Sequence, residues 1–342
     1  MQVTNRIEWI DSLKGLGIIA IYLGHFANDA GALYSFVFTY HVPLFFFISG
    51  FFGRAKPGDS FLQFVKRKFF RLMVPYFGFV FIAIFVYLLS MDVDVKTMLV
   101  QGFFGVRNNL FAGSLWFLPC LFVMSIMYQS VLIILKKKRF ALIIAIALFI
   151  VTQTLFTQSP SSKPCWFWNI DSAMYYMIFY ATGSMVFPYL RDFRIKTLSV
   201  SKRVCIFLFG AFSVLITAIV YFKGSGTIYA LIGVDFFLIQ WLYKICLPLL
   251  MISSNIMVAI LLRKVSVLKL LGKSTLALCG TEQIIKIIIP TVLGLFSLSL
   301  KLFTPLATVL YTLICLLVNR FTIVAVIENN LPVLNGKSKW CE

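Results

Sequence analysis

Apolar residues dominate the chain in long runs, and polar residues gather in the short intervals between them. A helix crosses a hydrocarbon core of about 30 Å with about 20 residues. By that measure the pattern predicts ten spans, at 12–30, 33–53, 72–91, 114–135, 140–157, 172–190, 204–222, 236–262, 275–296 and 303–326. The expectation is an all-α polytopic membrane protein of about ten transmembrane helices around a midplane cavity. The intervals are too short and too poor in Gly, Ser and Pro to be linkers. One membrane domain covering 1–342 is therefore expected, without a separate soluble domain.

Charge sharpens this picture. The 342 residues carry a formal charge of +19, which in a soluble protein would suggest nucleic acid as a partner. Here the basic residues fall in bursts between apolar runs. Segments around 6–14, 54–71, 136–139, 191–203, 263–273 and 320–342 hold 24 of the 31 Lys and Arg. These segments lie on one side if the ten runs alternate, and positive charge marks the cytoplasmic side of a membrane protein. Both termini are accordingly placed inside, and nucleic acid is excluded. Only 13% of residues are charged and 61% are hydrophobic, whereas soluble domains carry about 25% charged residues. The first apolar run has no small-residue cleavage site and reads as a retained helix rather than a signal peptide. Seven cysteines lack any C-x-x-C or His/Cys spacing, so neither a zinc site nor a disulfide framework is indicated. No internal repeat points to an inverted-repeat transporter.

Ionisable residues inside apolar runs are the candidates for chemistry, because lipid disfavours them. The chain has two histidines, His25 and His41, and both lie in the first two runs. Histidine exchanges protons near neutral pH. At 1.5 Å per residue, His25 lies about 16 Å into the first span and His41 about 12 Å below the outer end of the second. A short turn at Asn28 to Ala32 makes the two helices antiparallel neighbours, so the rings fall at similar depth. His41 has an alternative role at a local kink, since Pro43 interrupts the helix ladder.

The block Lys66-Arg67-Lys68-Phe69-Phe70-Arg71 precedes Leu72-Met73-Val74-Pro75-Tyr76. If helical, it places Arg67 and Arg71 on one face, and arginine binds phosphate oxygens in a fork. A positive-inside anchor accounts for the same block. Trp116 opens the fourth span, as an interfacial belt residue or a sugar-stacking platform. Glu282 and Lys286 stand at i, i+4 and are expected to pair. Asp235 is a carboxylate near an outer mouth. There is no G-x-S-x-G elbow. Gly272-Lys273-Ser274 ends like a phosphate loop, but Val267 stands where that motif needs glycine.

Several of these segments together resemble the acyltransferase-3 family of polytopic membrane proteins. Arg6, then Trp9-Ile10-Asp11-Ser12-Leu13-Lys14-Gly15, then Leu23-Gly24-His25 is similar to its opening signature. The run Tyr40-His41-Val42-Pro43-Leu44-Phe45-Phe46-Phe47-Ile48-Ser49-Gly50 resembles the second, the basic block through Pro75-Tyr76 the third, and Trp116-Phe117-Leu118 a further element. Order and spacing agree from residue 6 to about 120; beyond that the likeness is one of hydropathy. Family members often have a histidine in the late helix where this chain has Glu282.

The resemblance implies transfer of an acetyl group from cytoplasmic acetyl-CoA to a hydroxyl of O-antigen, capsule or exopolysaccharide, in a bacterial inner membrane. It implies His25 as general base with His41 as its partner. Arg67, Arg71, Lys66 and Lys68, with Arg6 and Lys14 at the entrance, would hold the donor. Trp116, Asp11, Asp235 and Glu282 would serve the substrate, and no metal is involved. The acceptor is polymerised or lipid-linked, and a homo-oligomer is compatible with the sequence. Two alternatives are a transporter or flippase for a lipid-linked glycan and an acyltransferase acting on a lipid.

Overall fold

In the computed structural model, residues 6–26, 30–90, 92–191, 199–224, 226, 230, 237–297 and 304–337 are described. The regular structure of these residues is helical. Among the described residues six stretches are long and apolar enough to cross a membrane: Ala32–Gly50, Phe61–Ser90, Gly113–Leu135, Val204–Lys223, Phe237–Leu261 and Pro305–Asn330.

The described residues form two compact units. The first comprises 1–51, 182–273 and 302–312, and the second 52–181, 274–301 and 313–342. In the first unit α1 (Glu8–Gly24) is followed by α2 (Ala32–Phe38) and α3 (His41–Gly50). The second span expected from sequence is thus broken at Thr39-Tyr40. The break lies one turn before Pro43, which takes the third position of α3, where the first helical turn lacks intrahelical acceptors for its N–H groups. Asn28 and Asp29, in the turn expected to join the first two spans, lie outside the described residues, as does Asp235.

The second unit contains α4 (Phe61–Lys68), a π-turn (Phe69–Met73), α5 (Val74–Ser90), α6 (Val95–Phe104), a 3₁₀ turn (Gly113–Trp116), α7 (Phe117–Leu135) and α8 (Lys138–Thr154). Helix α9 (Ile170–Arg191) begins in it; α10 (Val200–Lys223), α11 (Phe237–Leu261) and α12 (Ser266–Lys273) belong to the first unit. Then come α13 (Thr275–Gly280), α14 (Glu282–Leu295), α15 (Pro305–Phe321), α16 (Ile323–Asn330) and a 3₁₀ turn (Pro332–Asn335). The expected spans 275–296 and 303–326 are each interrupted, at Thr281 and Thr322. Thr281 sits at φ −105°, ψ 4°, outside helical geometry.

Helices α1 and α12 meet backbone to backbone. A Cβ on Gly15 would collide with the carbonyl of Leu268, and one on Gly272 with the carbonyl of Asp11. Small residues permit this approach in membranes, where lipid tails are as apolar as side chains and packing must drive association. Gly272, which in sequence belonged to an incomplete phosphate loop, therefore has a packing role. Glu8 and Lys269 tie the same two helices at 3.0 Å. Their hydrogen bond and charge hold the Glu8 carboxyl below its ordinary pKa.

The second unit packs around Phe64, Tyr76, Phe79, Tyr128, Phe149 and Tyr180, all fully buried. Tyr76 donates its hydroxyl to the Gly102 carbonyl at 2.5 Å, joining α5 to α6.

Replacing Gly272 with Val should destabilise the protein by about 1–3 kcal/mol through overpacking against α1. A fall in detergent melting temperature relative to Gly272→Ala checks this; equal melting temperatures for wild type and both variants would refute the tight contact.

Candidate functional site

The two histidines play the same local part. His25 closes α1 as its C-cap, and its Nδ1 lies 2.9 Å from the Ile21 carbonyl. His41 opens α3, with Nδ1 2.7 Å from the Val37 carbonyl in the last turn of α2. The last carbonyls of a helix lack intrahelical donors. A carbonyl only accepts, so Nδ1 carries the hydrogen in both rings and any proton exchange takes place at Nε2. His25 is exposed at the end of α1 rather than within the helix, and His41 is buried.

Phe38 brings the two into one neighbourhood of the first unit. Its ring stands edge-on to the His41 imidazole at 4.8 Å. The same ring packs where a Cβ on Gly24 would lie, 3.0 Å away, next to His25 in the chain. At the other end of α1, Asp11 is buried and receives two bonds from the Arg6 guanidinium, at 2.6 and 3.1 Å. Lys14 lies one turn further on the same helix.

The basic block is less uniform than its sequence suggested. Ser60 caps α4 reciprocally with Gln63, and the turn before it delivers Asp59 to Arg67 as an ion pair. Desolvation acts to raise the Asp59 carboxyl, but hydrogen bonds from Arg67 and the Lys56 backbone outweigh it, so its pKa is lowered. Lys68 sits over the Phe64 ring at 5.5 Å. Lys66 and Arg71 are exposed. A π-turn forms the C-terminal end of the block, with the Val74 N–H bonded to the Phe69 carbonyl. Pro75 explains this locally, since it offers no N–H to the Arg71 carbonyl. Such π-turns recur at functional sites.

Trp116 is 5% exposed, and its ring carries the Arg107 guanidinium at 4.8 Å. The ring face on that side is thus covered by a cation rather than open to a sugar. Sequence reading missed the surrounding group. Arg107 donates to the Ser161 carbonyl at 2.6 Å, and its backbone N–H to Asn169 Oδ1 at 2.9 Å. Asn169 Nδ2 donates to the Gly105 carbonyl at 2.7 Å. Trp168 and Asn169 both take positive φ, 52° and 56°, a conformation costly for tryptophan. The buried Asp171 carboxylate accepts from the Cys165 and Ser172 N–H groups at 2.7 and 2.8 Å. The one sequence signal was Arg107 itself, a lone cation in a stretch otherwise poor in positive charge.

Glu282 and Lys286 form the ion pair their spacing predicted, with Glu282 fully buried at the start of α14. Around the break, Thr281 and Asn319 bond each other at 2.8 Å, Ser114 donates to the Cys279 carbonyl at 2.8 Å, and Gln283 donates to the Tyr87 hydroxyl at 3.1 Å. Among the described residues no group of three His, Cys, Asp or Glu could hold a metal ion.

Six apolar stretches of membrane-crossing length among the described residues, with ionisable side chains buried in the fold, define a multi-pass membrane protein. A family model described as an acyltransferase domain matches residues 7–320, nearly the whole chain. The chain belongs to the acyltransferase-3 family. The match extends some 200 residues past the last motif legible by eye. No curated protein and no solved structure matches it.

Two outcomes follow from this geometry. Nitrogen-15 NMR of the neutral imidazoles should show the bonded hydrogen on Nδ1 of both histidines; hydrogen on Nε2 would contradict the carbonyl caps. Asp59 has a lowered folded pKa, so its stabilising pair with Arg67 is complete above the unfolded value of about 3.9 and is lost as pH falls through the folded value. Melting temperatures of wild type and Asp59→Asn should differ at neutral pH and converge in acid; a gap that persists in acid would rule the pair out as its source.

Proposed function

We propose that this membrane acyltransferase moves an acetyl group from cytoplasmic acetyl-CoA to a hydroxyl of a cell-surface or exported polysaccharide. In this reading it resides in a bacterial inner membrane, with ten spans and both termini inside. The observation that carries the proposal is the pair of carbonyl-capped imidazoles, each with Nε2 as its basic atom, in a chain of an acyltransferase family.

The chemistry runs as general base catalysis. His25 Nε2 takes the proton of the acceptor hydroxyl as its oxygen attacks the thioester carbonyl carbon. The tetrahedral intermediate collapses, the C–S bond breaks, and the proton passes from His25 to the departing thiolate. The exposed position of His25 suits a ring that must meet a substrate, whereas the buried His41 suits orientation. Arg71 and Lys66 serve the donor phosphates, and Arg67 does so while paired with Asp59. Arg6 acts through Asp11 to order the start of α1. Glu282 is assigned to the acceptor as half of an ion pair, since a lone carboxylate is costly in lipid.

Replacement of His25 with Ala should lower acetyl transfer at least about 100-fold. O-acetyl esters on purified glycan, counted by NMR, provide the measure, with membrane abundance of the variant confirmed. Retained esters in a fully inserted variant would refute the proposal, as would lost glycan export with unaltered acetylation.

A further inference from the structure

The C-terminal turn reaches back to the basic block within the second unit. Helix α16 ends at Asn330, the 3₁₀ turn Pro332–Asn335 follows, and Gly336 adopts φ +67°. Gly336 lies against Arg71: a Cβ there would stand 3.2 Å from the Arg71 carbonyl and 3.3 Å from its Cγ. The positive φ and the close approach both suit glycine. Leu334 enters the space beside Gly78 on α5, so the turn grips the helix on either side of Pro75.

Glu328 fixes this turn. One carboxylate oxygen accepts from Ser274 at 2.8 Å and from Asn335 at 3.3 Å; the other pairs with Arg320 at 3.1 Å. The next residue after Gly336 is Lys337, exposed like Arg71. Lys337 thus follows directly on the glycine that lies against Arg71, 266 positions away in the chain. The nearby carboxylates Asp59 and Glu328 are already engaged by Arg67 and Arg320. Adjacent like charges repel unless an anion lies between them, and phosphate oxygens match both a guanidinium and an ammonium.

We propose that Lys337 is a phosphate-binding residue that acts with Arg71, with Glu328 and Gly336 as the positioning residues that bring it there. The inference rests on the donor reading given above and extends it to a residue in the C-terminal turn. The phosphates could come from coenzyme A or from an anionic lipid headgroup, and we assign them to coenzyme A. That ligand carries several phosphate charges, while the basic block has one arginine already neutralised by Asp59.

Titration of coenzyme A into the full-length protein in zwitterionic nanodiscs tests this. Lys337→Ala should weaken binding by about two- to fivefold, the scale of an exposed charge contact. Lys337→Arg should restore it, and the salt dependence of binding should flatten in the alanine variant. Gly336→Val should weaken binding to a similar extent with Lys337 intact. Unchanged affinity in Lys337→Ala, with Arg71→Ala impaired, would overturn the role of Lys337 and leave the donor reading standing. No saturable binding by wild type would overturn both. A melting temperature that depends on Lys337 only in anionic nanodiscs, with coenzyme A affinity unchanged, would identify a lipid headgroup and overturn the assignment.

Discussion

The contact between α1 and α12 sets the position of the first unit's buried and ionisable side chains. Helices in lipid gain little from burying apolar surface against each other, so close packing must hold them. Gly15 and Gly272 supply it reciprocally, each lying against the backbone of the other helix. With α1 fixed at that point, Arg6 and Asp11 are ordered at one end and His25 at the other. A phosphate loop and a packing glycine look alike in sequence; the carbonyl of Asp11 against Gly272 distinguishes them.

The histidines illustrate how one bond can hold a helix end and set a ring's tautomer together. Each ring bonds through Nδ1–H to a carbonyl in the last turn of a helix. The same bond fixes the tautomer, so the ring's basic atom is defined before any substrate arrives. A histidine kept only to cap a carbonyl and one poised as a base would share this geometry. Exposure separates their assignments: His25 is open, while His41 is enclosed beside Phe38.

Charge is managed by local pairing throughout. Asp11 answers Arg6, Asp59 answers Arg67, Glu282 answers Lys286 and Glu328 answers Arg320. The chain has 12 acidic residues against 31 basic ones, so many cations remain beyond these pairs. Positive charge collects on one side of membrane proteins, and part of the surplus lies in the basic block beside the π-turn.

Hydropathy and charge determined that the chain is helical and membrane-embedded, because a span needs a fixed length of apolar residues whatever its neighbours do. The i, i+4 spacing of Glu282 and Lys286 likewise determined their pair, since both lie on one helix. Motifs in the first 120 residues were enough to suggest the family that the match over 7–320 establishes. Tertiary structure decided what depends on distant segments or on breaks inside a run. Apolar composition is blind to a break, so α2 and α3, or α13 and α14, read as single spans. The π-turn before Pro75 follows from one missing N–H, a local irregularity that apolar composition does not register. Only folding placed Asp59 on Arg67, Arg107 over Trp116 and Gly336 against Arg71, because these contacts join segments whose spacing in sequence carries no period.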